Sequence, residues 1–244
     1  MKIDACVFLG DSLYGNSIGP DQLIGELEKN DVDVAIIRPF KPSDYNYDRA
    51  NQYIANVQNQ YTNIYGFGRV NPWEKNAPQQ VEMIYSYGLK GLHLHPWEDN
   101  FSINDPVVYP TIRMAEKCKL PVYVSTGYPN VSEPLQLWEM AMAFPGVTFI
   151  ATHGGQLDMS GLSFDDALAA SERAENIMFD LSGVYRRDFI ELLIKTAGEE
   201  SVIFGSCVPY MDMSLEIERI QAAQISEEQK NKIFAENIRK LISI

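Results

Sequence analysis

The chain is poor in the residues that usually announce a function. It has three cysteines and three histidines in 244 residues. Cys6, Cys118 and Cys207 are odd in number and contain no CxxC pair, which fits a reduced intracellular protein and argues against a disulfide scaffold. No uninterrupted apolar run approaches the ~20 residues of a membrane helix. Met1 leads into a strand with no charged segment followed by an apolar one, so no signal peptide is expected and a cytoplasmic location is. Basic residues are scarce, with 20 Lys and Arg against 33 Asp and Glu and a formal charge of -13. Nucleic-acid partners are therefore not expected, because binding a polyphosphate needs a basic footprint. Net charge leaves a small substrate open, since such a molecule responds to its pocket. There is no GxGxxG and no GxxxxGK[ST], hence no glycine-rich phosphate loop. No Ser/Gly-rich linker, low-complexity tract or composition shift divides residues 1–244, which points to a single domain.

What is present is a regular alternation. The opening MKIDACVFLG reads as a buried strand that ends at a turn, with Asp4, Cys6 and Phe8 on one face, because successive strand side chains point oppositely. Further strands are expected at Val34–Ile37, Asn63–Pro72, Leu89–Pro96, Pro121–Ser125, Val147–Gly155, Ile177–Leu181 and Val202–Pro209. Between them, apolar spacing predicts helices over Pro20–Asn30, Tyr47–Tyr61, Ala77–Tyr87, Pro106–Lys119, Pro134–Phe144, Phe164–Ala174 and Arg187–Ala197. Gly88 suits a helix C-terminus, Asp105-Pro106 suits a start, and a loop containing Gly161 leads into the sixth helix. Two more helices close the chain, the last opening on the capping-box pattern Ser226-Glu-Glu-Gln229. Eight strands alternating with helices predict an α/β fold, a (β/α)₈ TIM barrel.

All three histidines and two cysteines fall near predicted C-terminal strand ends: Cys6, His93, His95, His153 and Cys207. Barrel enzymes build their sites there. His153 is a candidate general base or acid, because imidazole titrates near neutrality, or it hydrogen-bonds a neighbouring strand or loop. Cys207 is a candidate nucleophile if a histidine lowers its pKa, or an inert buried thiol. His93 and His95 share a strand face. Arg38 and Arg69 end strands two and three and are candidates to clamp a carboxylate, or to form internal salt bridges. Trp97, Tyr128 and Tyr210 follow strand ends and are candidate pocket walls.

These motifs taken in order, Ile3-Asp4-Ala5, Gly66–Pro72, Gly91–Pro96, Leu120-Pro-Val122 with Gly127, Thr152–Gly155, Phe204–Pro209 and Glu236-Asn237, resemble the amidohydrolase-2 group of metal-dependent barrels, which includes aminocarboxymuconate-semialdehyde decarboxylase-like enzymes. The resemblance implies a hydrolase or decarboxylase for a small polar or carboxylated molecule, and it allows a homodimer. It also marks departures. Cys6 and Phe8 stand where the group has a His-x-His metal pair, Ser125 where it has a third histidine, and Cys207 where it has an aspartate; His153 survives. The resemblance therefore implies catalytic roles for His153 and Cys207, substrate contacts from Arg69, His93, His95, Ser125 and Trp97, and no metal cofactor. Two alternatives stand beside it: a non-catalytic binding barrel, and an atypical zinc or other divalent-metal site built from Cys6, His153 and Cys207.

Overall fold

A computed structural model describes residues 1–156 and 162–244. Among these residues, nine strands form a curled sheet: β1 (Ile3–Asp11), β2 (Ser17–Ile18), β3 (Val34–Pro39), β4 (Ile64–Arg69), β5 (Gly91–Leu94), β6 (Val122–Val124), β7 (Phe149–Ala151), β8 (Ile177–Asp180) and β9 (Val202–Ile203). All pairings from β1 and β3 round to β8 and β9 are parallel. The helices that cross between strands are α1 (Pro20–Lys29), α2 (Tyr47–Gln60), α3 (Ala77–Ser86), α4 (Pro96–Asp99), α5 (Tyr109–Lys117), α6 (Pro134–Ala143), α7 (Leu162–Arg173) and α8 (Arg187–Ala197). After β9 come α9 (Met213–Ala222), α10 (Glu227–Asn231), a π-helical turn over Lys232–Glu236 and α11 (Asn237–Ile242). Among the described residues no helix is long and apolar enough to cross a membrane.

The ring closes between the first strand and the segment after the last. Ala5 N donates to the Phe204 carbonyl at 3.0 Å, Cys207 N to Cys6 at 2.7 Å and Phe8 N to Val208 at 2.8 Å. Asp4 fastens the same seam, accepting from Cys6 N at 3.0 Å, Ser206 N at 2.9 Å and the Ser206 hydroxyl. Burial pushes the Asp4 carboxyl up to about 7, against the pull of those hydrogen bonds. Strand residues are buried on both faces, with Ile36, Ile37, Leu92, Val122 and Ile150 wholly enclosed, as a parallel barrel wrapped in helices requires. The packing is close enough that a Cβ on Gly68 would come 2.4 Å from Ile84 Cγ1, so α3 lies directly against β4.

The eight-strand alternation and the expected helices are present, with four local differences. β2 is a two-residue hairpin partner of β1, pairing Gly10 with Ile18 and Asp11 with Ser17, and is too short to leave an alternation pattern. The fourth strand stops at Leu94, because Pro96 starts α4 and His95 caps it, its Nδ1 accepting from Glu98 N at 3.3 Å. The sixth ends at Ala151 and turns sharply through Thr152–Gly155. The eighth keeps only two ladder residues before the seam takes over. The loop containing Gly161 lies outside the described residues.

Candidate active site

A cavity of about 430 Å³ opens at the C-terminal ends of the strands, lined by Cys6 and Phe8 from β1, His95, Trp97 and Glu98 around the start of α4, Ser125 and Tyr128 after β6, Thr152 and His153 after β7, and Cys207 and Tyr210 after β9. Its walls are aromatic. Trp97 and Tyr128 stack with ring centroids 5.7 Å apart and planes 11° from parallel, and Tyr210 meets Phe8 edge-on at 5.4 Å. A second cavity of about 480 Å³, beside β2 and the start of α2, contains none of the histidines or cysteines.

His153 occupies the kink after β7 in left-handed backbone, φ 56 and ψ 29, followed by Gly154 at φ 61. Gly154 has no substitute there, since a Cβ would lie 2.5 Å from the Phe189 ring. The His153 Nδ1 is 2.8 Å from the Ser182 carbonyl. A carbonyl only accepts, so Nδ1 carries the proton and Nε2 keeps its lone pair. Burial lowers the pKa of His153 below the usual imidazole value, partly countered by the Asp180 charge and the Ser182 bond. The ring is a neutral acceptor at pH 7. Asp180 fixes the support: it accepts from Ser182 N at 2.7 Å, from the Ser182 hydroxyl at 2.9 Å and from the Tyr123 hydroxyl.

His95 faces the opposite way. Its Nδ1 accepts from Glu98 N, so in the neutral ring Nε2 bears the proton, 3.8 Å from Glu98 Oε1. Burial, followed by the Arg69 and His153 charges, drives its pKa well below normal. One neutral imidazole with a free lone pair and one with a free N–H thus line the same cavity, a donor and acceptor set suited to proton transfer.

Of the residues expected to bind substrate, His95, Trp97 and Ser125 line the cavity, while His93 and Arg69 do not. His93 sits a layer below, its Nε2 3.1 Å from Ser125 Oγ. Burial, then the Arg38, Arg69 and His95 charges, holds it neutral. Arg69 is committed inward. Its guanidinium pairs with Asp99 at 2.8 Å and with Glu98 at 2.7 Å, while Tyr47 and Lys41 share Asp99. Arg38 donates to the Ala5 carbonyl and lies over the Tyr123 ring, its carbon 3.5 Å from the centroid. Of the two expected catalytic residues, both are in the cavity. The Cys207 thiol has a pKa raised well above normal, by its hydrogen bond to the Cys6 side chain and then by burial, and so stays protonated at neutral pH.

Sequence reasoning passed over Glu98, Asp180 and Ser182. Asp180 carried a signal, being the one ionisable residue on the otherwise apolar strand Ile177–Asp180. Glu98 lay hidden by the reading of Pro96 as a strand end.

A family model described as Amidohydrolase matches residues 41–244. Among curated proteins the chain has no sequence match. Similar solved structures include 5-carboxyvanillate decarboxylase LigW from Sphingomonas paucimobilis, at 17% identity and TM-score 0.81, covering 100% of this chain and 99% of that one. Another is a 5-carboxyvanillate decarboxylase from Novosphingobium aromaticivorans, with bound manganese and a nitrobenzoic acid, at 14% identity and TM-score 0.81, covering 100% and 97%. A third, from Pseudomonas putida, carries the provisional name 2-pyrone-4,6-dicarboxylic acid hydrolase, at 14% identity and TM-score 0.76, covering 99% and 97%.

These neighbours correct the expectation of a barrel with no cofactor, because manganese is bound in several structures of the kind. That expectation was drawn from four replaced side chains alone. It left out of account that His95, Glu98 and His153 also line the cavity. Of the four replaced side chains, Cys6 and Cys207 are thiols, Phe8 has no donor atom, and Ser125 Oγ lies within hydrogen-bond distance of His93 Nε2. Cys6, His153 and Cys207 line the cavity without forming a metal-holding cluster, and none of three or more such residues exists among the described residues.

Proposed function

The chain belongs to the amidohydrolase-2 family, and from that premise we propose that it turns over a small, flat, carboxylated molecule by decarboxylation or hydrolysis, with His153 as the proton carrier. The observation that carries the reading is the fixed tautomer of His153. Its Nδ1–H is spent on the Ser182 carbonyl, so the Nε2 lone pair is the group available to a bound molecule. The aromatic walls support a planar ligand, and about 430 Å³ suits a single substituted ring. The names of the structural neighbours agree with that class, since 5-carboxyvanillate and 2-pyrone-4,6-dicarboxylic acid are both carboxylated rings.

Decarboxylation is the better supported of the two reactions. In that step the bond between ring carbon and carboxylate breaks, carbon dioxide leaves, and a proton joins the same ring carbon. His153 Nε2 takes up a proton from water or a ring hydroxyl and delivers it; His95 Nε2–H hydrogen-bonds a ring oxygen and orients the ring. Phe8 makes an apolar floor that desolvates a carboxylate placed on it, favouring its loss as neutral carbon dioxide.

The test is a panel of hydroxybenzoates, carboxylated phenols and pyrone carboxylates, incubated with the protein with and without added manganese and read by mass spectrometry. Loss of carbon dioxide from any member supports the favoured reaction, and gain of water supports hydrolysis. Absence of both saturable binding and turnover across the panel overturns the reading.

A further inference from the structure

Cys6 and Cys207 sit on opposite sides of the barrel seam, 201 positions apart in the chain, and meet there. Cys207 N donates to the Cys6 carbonyl at 2.7 Å, and the neighbouring Val7 and Val208 form a parallel bridge. That backbone bond holds the two Cα atoms within roughly 6 Å, inside the range a disulfide spans without backbone movement. Both side chains line the cavity. Both are free thiols. Arg38, paired beside Phe8 in the β1–β3 ladder, is fully buried with Nε and Nη1 lacking a hydrogen-bond partner among the described residues, while Cys207 is the thiol held protonated.

We propose that Cys6 and Cys207 are a redox pair that closes to a disulfide across the barrel seam when a hydroperoxide enters the cavity. The Cys6 sulfur attacks the outer peroxide oxygen, the O–O bond breaks, and the alcohol or water formed leaves with the thiol proton. Cys6 is then a sulfenic acid. The Cys207 sulfur attacks the Cys6 sulfur, the S–S bond forms, the S–O bond breaks, and water leaves carrying the second proton. Two thiols and one hydroperoxide give one disulfide, one alcohol (or water) and one water. The strands are already hydrogen-bonded at this point, so closure needs only side-chain rotation. The product ties β1 to the segment after β9 beneath the cavity.

Cys118, at the end of α5 and away from the cavity, serves as the internal control. The folded protein is treated with near-stoichiometric hydrogen peroxide, then digested without reduction and mapped by mass spectrometry. The expected product is one intramolecular cross-linked pair of peptides carrying Cys6 and Cys207, short of two hydrogens, restored by a thiol reductant, with Cys118 unlinked. Oxygen added to Cys6 or Cys207 without a cross-link overturns the proposal. So does a cross-link formed only through Cys118, or a native protein that stays unreacted under conditions where the urea-unfolded chain oxidises. The wild-type chain suffices, so no variant has to fold, and the covalent readout does not depend on knowing the substrate.

Discussion

Replacing Asp180 by Asn is the perturbation that most directly separates a positioned base from a merely buried histidine. Asp180 reaches His153 through the Ser182 hydroxyl, with links of 2.9 and 3.2 Å, which sets the carboxylate within about 6 Å of the ring. At an effective dielectric near 20, a unit charge at that distance is worth about 3 kcal/mol, so removing it moves the His153 titration by up to about two pH units. The sign follows from the direction of the shift. The folded pKa already lies below 6.5 because of burial, and the Asp180 charge works against that lowering; without it the ring resists protonation further. With only three histidines in the chain, imidazole NMR signals are resolvable, and a titration from pH 8 downward follows His153 in both proteins. In the variant the protonation step, and with it the acid limb of kcat/KM, moves to lower pH. Asn offers one acceptor oxygen to three donors, so a stability loss of about 2–3 kcal/mol accompanies the change and is checked by thermal melting. A wild-type His153 that protonates above pH 6.5, or a variant whose limb stays fixed or moves upward, refutes the reasoning.

Three further outcomes test other parts of the account. Asp99→Asn leaves the enclosed Arg69 guanidinium short of its main counter-charge and lowers stability by about 3–5 kcal/mol in urea titrations at pH 7; a change below about 1 kcal/mol contradicts the network drawn around Asp99. Gly154→Ala combines a φ of 61° with a Cβ placed 2.5 Å from Phe189, and costs about 2–4 kcal/mol by thermal denaturation. Trp97→Ala removes the exposed half of the stacked pair, leaving the melting temperature near wild type while weakening any planar ligand by about tenfold in calorimetric titration.

Periodicity made the architecture legible because each strand is a short apolar run fenced by Pro, Gly or a helix cap, and because barrel strands are buried on both faces. The short features were not legible. β2 has two residues, and α4 begins at a proline that equally suits the end of a strand. For the site, residues singled out by their placement at strand ends, Cys6, His95, Ser125, His153 and Cys207, line one cavity, while His93 lies beneath it. Orientation was not available from spacing: Arg69 and Glu98 are tied together by an ion pair between β4 and α4, so a candidate clamp became part of the scaffold. The hydrogen-bond chain from Tyr123 through Asp180 and Ser182 to His153 links residues 57 and 29 positions apart, a separation no local pattern records. The cofactor expectation failed for a related reason, since four replaced side chains say little about what else surrounds the cavity.

One comparison tests His153 as the proton carrier. Wild-type protein and His153→Gln are supplied with the panel member that wild type turns over, and binding and product formation are measured separately. The expected result is saturable binding by both, a folded variant, and product from wild type alone. Product formation by His153→Gln at a rate near that of wild type contradicts the central claim.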